Sequence, residues 1–265
     1  MKSSIAILGS SGLIGSQLAN SLETQGFTVT RPSRNSMHEE IMRERPRYII
    51  NCIGAGMDIR RNQTKEQVWA ANYEVPMEIL KLAESLEAGF VNIGSLLEKI
   101  EHLSTPYIQS KRKFSGEIVT SYERHSGAVS ILTPITYGLD VEHAFIAEVL
   151  NAGKTCTPVQ LESPKAVREF IHVSDLARII LKLVSLDSFT VPVFEIGTGT
   201  GYCLSELCDS ALKGRVEPAW LFTPRAGKTN EFAVVADVDF LNNELGIQLF
   251  YGLPKWLQLQ LGKTN

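Results

Sequence analysis

The sequence has no C-x-x-C pair and no H-x-x-x-H pair. Its four cysteines, Cys52, Cys156, Cys203 and Cys208, stand apart from one another and from any histidine at metal-ligand spacing. That pattern argues against a zinc ribbon or zinc hydrolase and for reduced thiols rather than a disulfide framework, so no metal site is expected. Apolar runs long enough to span a bilayer are missing too, and no membrane association is expected. The opening stretch MKSSIAILGSSG holds an apolar run too short for a signal-peptide core, broken at once by glycine, which leads to an expected cytoplasmic location. The formal net charge is only −3, which removes the electrostatic case for nucleic acid as a partner. Internal repeats and low-complexity tracts are absent as well.

What remains is an ordinary globular composition, 44% hydrophobic and 21% charged over 265 residues, enough for one large domain with a small appendage. Short β-like runs at residues 4–8, 27–30, 47–53, 90–93 and 128–132 alternate with helical patterns at 13–23, 64–86 and 107–122. The longest pattern puts Val68, Ala71, Val75, Ile79, Leu82 and Leu86 on one stripe. Continuous apolar strands separated by helices predict an α/β fold, a parallel sheet covered on both faces and doubly wound by right-handed crossovers. Runs at 170–173 and 194–196 are expected to return to the main sheet, with a helix over 175–184 between them. Residues 1–140 and 168–200 are thus assigned to a dinucleotide-binding core of the Rossmann type. Residues 141–167 and 201–265, where the rhythm weakens, are assigned to a small, partly helical lobe.

The segment GSSGLIG, from Gly9 to Gly15, follows the first strand and opens the first helix. Glycines at 9, 12 and 15 permit a tight turn, close approach of backbone to a pyrophosphate, and close helix–strand packing. The N-terminal N–H groups of the helix, at Ser11, Gly12, Leu13, Ile14 and Gly15, then face the phosphates. As a string the motif also describes a merely tight turn; its place between first strand and first helix favours a cofactor. NAD binders carry an acid about 20 residues beyond the glycines for the ribose hydroxyls. Here the corresponding stretch is TVTRPSRNS, with no acid before Glu39. Arg31, Ser33 and Arg34 suit a 2′-phosphate instead, so NADP(H) is expected over NAD(H); a solvated basic loop is the competing reading.

A strand running into Gly94 and Ser95 places a hydroxyl where ligands of open α/β sheets sit. Twelve residues later comes TPYIQSKRKF, with Tyr107 and Lys111 one helical turn apart. That spacing alone equally suits an amphipathic helix with a solvated basic face. In this order, however, the glycine turn, strand-end serine and Tyr-x-x-x-Lys resemble the short-chain dehydrogenase/reductase superfamily. Its extended branch, the NAD(P)-dependent sugar epimerases, dehydratases and reductases, is resembled by LTPITYGLD (132–140), REFIHVSDLA (168–177), FEIGTGTGYCLSEL (194–207) and TPRAGKTNEFAVVADVDFLNNELGI (223–247).

The resemblance implies roles. Tyr107 is the expected proton donor to a carbonyl, Lys111 the cation that lowers its pKa from about 10 and binds the nicotinamide ribose, and Ser95 the hydrogen-bond partner of the substrate oxygen. Gly54, Asn72 and Pro134 join the expected cofactor contacts. Arg168 and Arg225 are the expected ligands of a nucleotide-sugar diphosphate; a local ion pair with Glu169 or Asp175 competes for Arg168. A homodimer through a helix pair is also implied. The chain departs from the family in its short Ser95–Tyr107 segment and small lobe. Leu96 and Leu97 stand where a 4,6-dehydratase needs an acid pair, and no cysteine near Ser95 serves a 3,5-epimerase/4-reductase. The expected activity is therefore an NADPH-dependent reduction of a nucleotide-activated 4-keto-6-deoxysugar. A 4-epimerase and a non-catalytic NADP(H) sensor remain as alternatives.

Overall fold

A computed structural model of the chain describes residues 4–56, 62–124, 126–138, 144–186, 188–223, 231–249 and 252–262. It divides into two compact units, Met1–Thr133 with Leu176–Glu195, and Pro134–Asp175 with Ile196–Asn265. No helix among the described residues is long and apolar enough to cross a membrane.

The first unit is built on a six-stranded sheet. Its strands are β1 (Ser4–Leu8), β2 (Thr28–Thr30), β3 (Tyr48–Asn51), β4 (Gly89–Ser95), β5 (Ala128–Thr133) and β9 (Val193–Glu195). The order is β2-β1-β3-β4-β5-β9 and every pairing is parallel. The central strands β3 and β5 are buried throughout, as a sheet covered on both faces requires. Helices α1 (Leu13–Thr24), α2 (Met37–Glu44) and α5 (Pro106–Arg124) serve as connections. The chain leaves β1 for β2 on one side and takes up β3 on the other, so the strand order reverses beside β1. Such a switch point opens a crevice at the carboxyl ends of the strands.

One face of this sheet is closed by Met37 and Ile41 of α2, Phe114 and Ile118 of α5, and Ile79, Leu80 and Leu82, which pack on Ala6, Leu8, Ile49, Phe90 and Ala128. Phe90 and Phe114 meet edge to face, ring centroids 6.1 Å apart. The helix expected without a break over 64–86 has three parts: α3 (Lys65–Trp69), a wide π-helical turn (Ala70–Glu74) and α4 (Val75–Ser85). Thr64 starts it by accepting the Gln67 N–H while the Gln67 side chain returns to the Thr64 N–H. Pro76 explains the wide turn. It has no N–H to give and its ring crowds the carbonyl of Asn72, so the preceding turn opens by one residue.

The second unit has its own sheet, centred on β8 (Val167–His172). Strand β6 (Ile135–Tyr137) pairs with β8 in parallel, β10 (Gly201–Cys203) antiparallel and β12 (Ala233–Val234) in parallel. Strands β7 (Val159–Leu161) and β11 (Trp220–Phe222) form a separate parallel pair. Helices α6 (Ala144–Thr155), α8 (Leu204–Leu212) and α9 (Leu253–Gly262) pack on one another. Helix α7 (Val173–Leu183) runs from this unit back into the first. The strand expected at 170–173 therefore forms, but not in the main sheet. Pro134 breaks the ladder after β5; β6 starts a new sheet, and Phe170 pairs with Ile135 there. The run at 194–196 does return to the main sheet, as β9 beside β5.

Tyr137 is fully buried between His172 and Trp256, each ring centroid 5.1 Å away. The His172 Nδ1 accepts the Ser174 N–H at 3.2 Å, and burial holds the imidazole pKa below its ordinary value against the opposing charge of Asp175. On the same strand, Glu169 is buried to 1% exposure. Its carboxylate accepts the backbone N–H groups of Thr198, Gly199 (2.7 Å) and Ala236 (2.6 Å) and the Thr198 hydroxyl (3.0 Å). A Cβ at Gly197 would lie 2.3 Å from its Oε1, so the bare glycine admits the carboxylate. Replacing one oxygen by an amide turns donor against donor. Glu169→Gln is expected to cost about 2–4 kcal/mol of stability, read as a lower midpoint in urea unfolding; an unchanged midpoint would show that these bonds do not hold the unit together.

Candidate active site

The strands of the first unit are parallel, so Leu8, Asn51, Ser95 and Thr133 end on one edge. The glycine turn lies at that edge. Gly9 has φ +70°, and a Cβ there would lie 2.9 Å from the Cys52 carbonyl oxygen. At Gly15 a Cβ would lie 2.4 Å from the Gly9 carbonyl. Both contacts are with backbone, which cannot yield, so the turn holds this shape only with glycine. The Gly12 N–H closes it onto Gly9 O at 2.9 Å. Helix α1 then starts without a side-chain cap and without an acid in its first turn, while Ser11 and Gly12 are exposed. Uncapped N–H groups above bare glycines fit a dinucleotide pyrophosphate. Leu13 and Ile14 form the first turn of α1, half-buried.

Beyond β2 the arrangement is more mixed than the expected basic loop. Arg31 donates Nη1 and Nη2 to the Glu23 carboxylate, the second at 2.8 Å, and Nη2 also to Asn20 at 3.3 Å. Arg34 is exposed. The Ser33 N–H donates to Glu40 Oε1 at 3.2 Å, and the Ser33 and Ser36 hydroxyls meet at 2.6 Å. Glu40 also accepts the Ser36 hydroxyl, and these bonds hold its carboxyl below the usual range. An acid thus does stand at the end of β2, carried back by α2. Reading along the chain from the strand missed it, because the contact depends on how α2 folds over.

Ser95 ends β4 and Tyr107 opens α5. The Ser95 hydroxyl hydrogen-bonds the Tyr107 hydroxyl. Tyr107 is half-buried as a residue, but its hydroxyl is closely surrounded by protein. Burial pushes its pKa up to about 12, against the lowering hydrogen bond from Ser95; the charge of Glu98 adds a further rise. Desolvation thus outweighs any lowering by the Lys111 charge that the sequence led us to expect. Lys111, one turn along and 5% exposed, donates Nζ to the Ile93 carbonyl at 2.8 Å. Burial lowers its pKa, while Glu98 and Cys52 oppose the drop.

Gly54 lies just beyond β3, and a Cβ there would stand 4.0 Å from both Lys111 Nζ and Asn72 Oδ1. The π-helical turn points Asn72 inward. Its amide accepts the Ala55 N–H and donates to the Ala55 carbonyl, both at 2.9 Å, and donates to Ser110 Oγ at 3.1 Å. Asn72, expected among the cofactor contacts, is thus occupied in fixing the 54–55 segment against α5. Pro134 is the first residue of the second unit. There Arg168 donates Nη1 to the carbonyls of Val167 (2.9 Å) and Phe232, and its guanidinium lies 4.3 Å from the Phe232 ring centroid. Arg225 lies outside the described residues.

Two residues not singled out from the sequence complete the edge. Glu98, in a short 3-10 helix (Leu96–Lys99), accepts the Ser95 N–H at 2.7 Å, while Leu97 N–H reaches Ser95 Oγ at 3.3 Å. The S-x-x-E pattern of a capping box signals this pair in the sequence. Arg112 donates Nε to the Glu98 carbonyl at 2.8 Å and Nη2 to the Ile100 carbonyl at 2.9 Å, clamping the short Ser95–Tyr107 segment to α5.

Solved structures share this fold. A UDP-glucose 4-epimerase from the hyperthermophilic eubacterium Thermotoga maritima, with UDP-glucose, matches with a TM-score of 0.82 at 16% identity, over 98% of this chain and 97% of that chain. RMD from Pseudomonas aeruginosa, complexed with NADPH, matches at 0.83 and 14%, over 99% of each chain. Bordetella bronchiseptica WbmG, with NAD and UDP, matches at 0.81 and 18%, over 99% and 94%. The family model described as the NAD dependent epimerase/dehydratase family matches residues 5–197, and the chain belongs to that family, as an NAD(P)-dependent enzyme of the short-chain dehydrogenase/reductase type.

Proposed function

We propose that this enzyme is an NADPH-dependent reductase of a nucleotide-activated 4-keto-6-deoxysugar. The observation that carries the reading is the make-up of the catalytic edge. Ser95, Tyr107 and Lys111 come together there, and the side chains that follow Ser95 are Leu96 and Leu97. Glu98, the acid nearest Ser95 in the chain, is turned into the protein and 7% exposed. A reductase asks for a proton donor and an oxyanion partner; a dehydratase asks for an acid pair facing the sugar. The solved structures that hold UDP-glucose and NADPH support the substrate and cofactor classes.

The dinucleotide, when bound, supplies the hydride that reduces the C4 carbonyl. Gly9, Gly12, Gly15 and the first turn of α1 hold its pyrophosphate, and Arg31, Ser33 and Arg34 bind the 2′-phosphate. Arg168 and Arg225 are assigned to the sugar diphosphate. Tyr107 gives its proton to the oxygen of C4 as negative charge develops there. Ser95 donates a hydrogen bond to the same oxygen. Lys111, as an ammonium, stabilises the phenolate left on Tyr107. The tyrosine recovers its proton from solvent before the next turnover.

Tyr107→Phe is expected to reduce turnover by about 10²–10⁴-fold, the range for loss of a general acid, with NADPH still bound as judged by fluorescence titration; full activity would remove Tyr107 from its role. A phenol pKa pushed up to about 12 keeps the acid form at neutral pH. Reduction is therefore expected to be flat over about pH 6–8, while the reverse oxidation, which needs the base form, rises with pH. Profiles measured in both directions decide this, and a reduction rate falling through neutrality contradicts it. Arg31→Ala combined with Arg34→Ala is expected to weaken NADPH binding about 10- to 100-fold while leaving NADH nearly unaffected. A wild-type preference for NADH would transfer the ribose assignment to Glu40.

A further inference from the structure

The carboxylate of Glu98 sits at the end of a buried side-chain chain that crosses three strands. Asn51, Asn92 and Ser130 stand level with one another on β3, β4 and β5. Asn51 Oδ1 accepts the Ile53 N–H at 3.2 Å, and Asn51 Nδ2 donates to Asn92 Oδ1 at 2.9 Å. Asn92 Nδ2 donates to Ser130 Oγ at 2.9 Å. Ser130 and Ser115 hydroxyls meet at 2.9 Å, and Ser115 donates to Glu98 Oε2 at 2.6 Å. With Glu98 ionised, the Ser115 proton goes to its carboxylate and Ser130 gives its proton to Ser115. Every donor in the chain then points the same way, towards Glu98.

This one-way order suits the charged form of the acid, which accepts at both oxygens. A proton on Oε2 would face Ser115 and reverse it. Ser115 would then donate to Ser130, which already accepts from Asn92, and the Ser130 proton would lose its acceptor in the chain. Polarised chains of this kind strengthen each member. Gly94 makes room for the arrangement: a Cβ there would lie 2.9 Å from Glu98 Oε1 and 3.1 Å from Ser130 Oγ. Burial raises the Glu98 pKa, opposed by the Ser115 hydroxyl, the charge of Lys111, the Ser95 N–H and the charge of Arg112.

Lys111 Nζ and Glu98 Oε1 take β4 backbone groups two residues apart, the Ile93 carbonyl at 2.8 Å and the Ser95 N–H at 2.7 Å, which brings the two side chains to one stretch of strand. Cys52, just beyond β3, and Tyr107, one turn back on the same helix, are further titratable groups near Lys111 among the described residues. Burial pushes the Cys52 thiol up to about 12 and Tyr107 as high, so both are neutral near pH 7. We propose that Glu98 is a positioning residue: it is the buried counter-charge that keeps Lys111 an ammonium, and its second oxygen fixes the Ser95 backbone so that the serine hydroxyl meets Tyr107. The inference rests on the reading of Ser95, Tyr107 and Lys111 as the reaction centre. It adds that the centre is set from below by a carboxylate that never touches substrate.

The test uses the full chain without substrate. Protein labelled with ¹³C at the lysine ε-carbon is titrated by NMR, with the Lys111 signal assigned by its loss in Lys111→Met. Removing a negative charge lowers the proton affinity of a neighbouring ammonium. Glu98→Gln is therefore expected to lower the Lys111 midpoint by at least about one pH unit, tenfold in proton affinity, and Glu98→Asp to restore most of it. In turnover, the alkaline limit of the pH profile moves down in Glu98→Gln in the same sense. An unchanged Lys111 midpoint in Glu98→Gln, or an equal fall in both variants, overturns the proposal. Should Glu98→Gln fail to fold, Ser115→Ala removes only the hydroxyl at Oε2. The Glu98 carboxyl ¹³C midpoint is then expected to rise, and no rise counts equally against the proposal. Failure of Tyr107→Phe to slow turnover would remove the proton donor without moving either titration, so the two readings fail separately.

Discussion

Burying an ammonium costs several kcal/mol unless an opposite charge and good acceptors are buried with it. That constraint shapes the catalytic edge of the first unit. Lys111 is at once a helix residue, a donor to the end of β4 through Ile93, and the neighbour of a buried acid. The acid in turn has to be satisfied, and the backbone of Ser95 and the hydroxyl of Ser115 do so. Satisfying Ser115 reaches Ser130, then Asn92, then Asn51. One charged side chain at the sheet edge thus accounts for Asn51, Asn92 and Ser130, buried inside three largely apolar strands.

The second unit solves a related problem differently. Glu169 is as deeply buried as Glu98, but its oxygens take backbone N–H groups from the 198–199 loop and from Ala236. There the carboxylate joins irregular segments that carry too little apolar surface to pack by themselves. Strands β10, β11 and β12 are only two or three residues long, and pairing of that length is marginal without such cross-ties. The two glutamates therefore differ in what they organise: Glu169 holds backbone in place, whereas Glu98 sets the state of a side chain.

Much of this architecture is legible in the sequence, for identifiable reasons. Strands of a parallel sheet read as apolar runs because both faces are covered, and β1, β3, β4 and β5 all appear that way. The glycine turn is legible because its spacing has one steric meaning in that place. Helix α2 is not, since only Met37 and Ile41 are buried, Met42 is exposed and the rest is polar. The short strands of the second unit are too brief to show alternation. The missed acids differ between themselves. Glu98 carries a local signature in Ser95-x-x-Glu98, whereas Glu40 meets Ser33 only after α2 has folded back. The phenol pKa is beyond local reading altogether, since a Tyr–Lys spacing states the attraction but not the dryness that outweighs it.

The wide turn at residues 70–74 has a consequence for how the chain tolerates change. Such a turn holds one residue more than its α-helical neighbour, equivalent to a single insertion that shifts helical phase by about 100°. Helices α3 and α4 each bury a stripe of their own, Val68 on the first and Ile79, Leu80, Leu82 and Ala83 on the second. Losing one residue there would leave the helix unbroken but rotate the earlier half away from its bed. Length at this point is therefore fixed by angle rather than by distance, in contrast to the surface loops, where a residue more or less changes only reach.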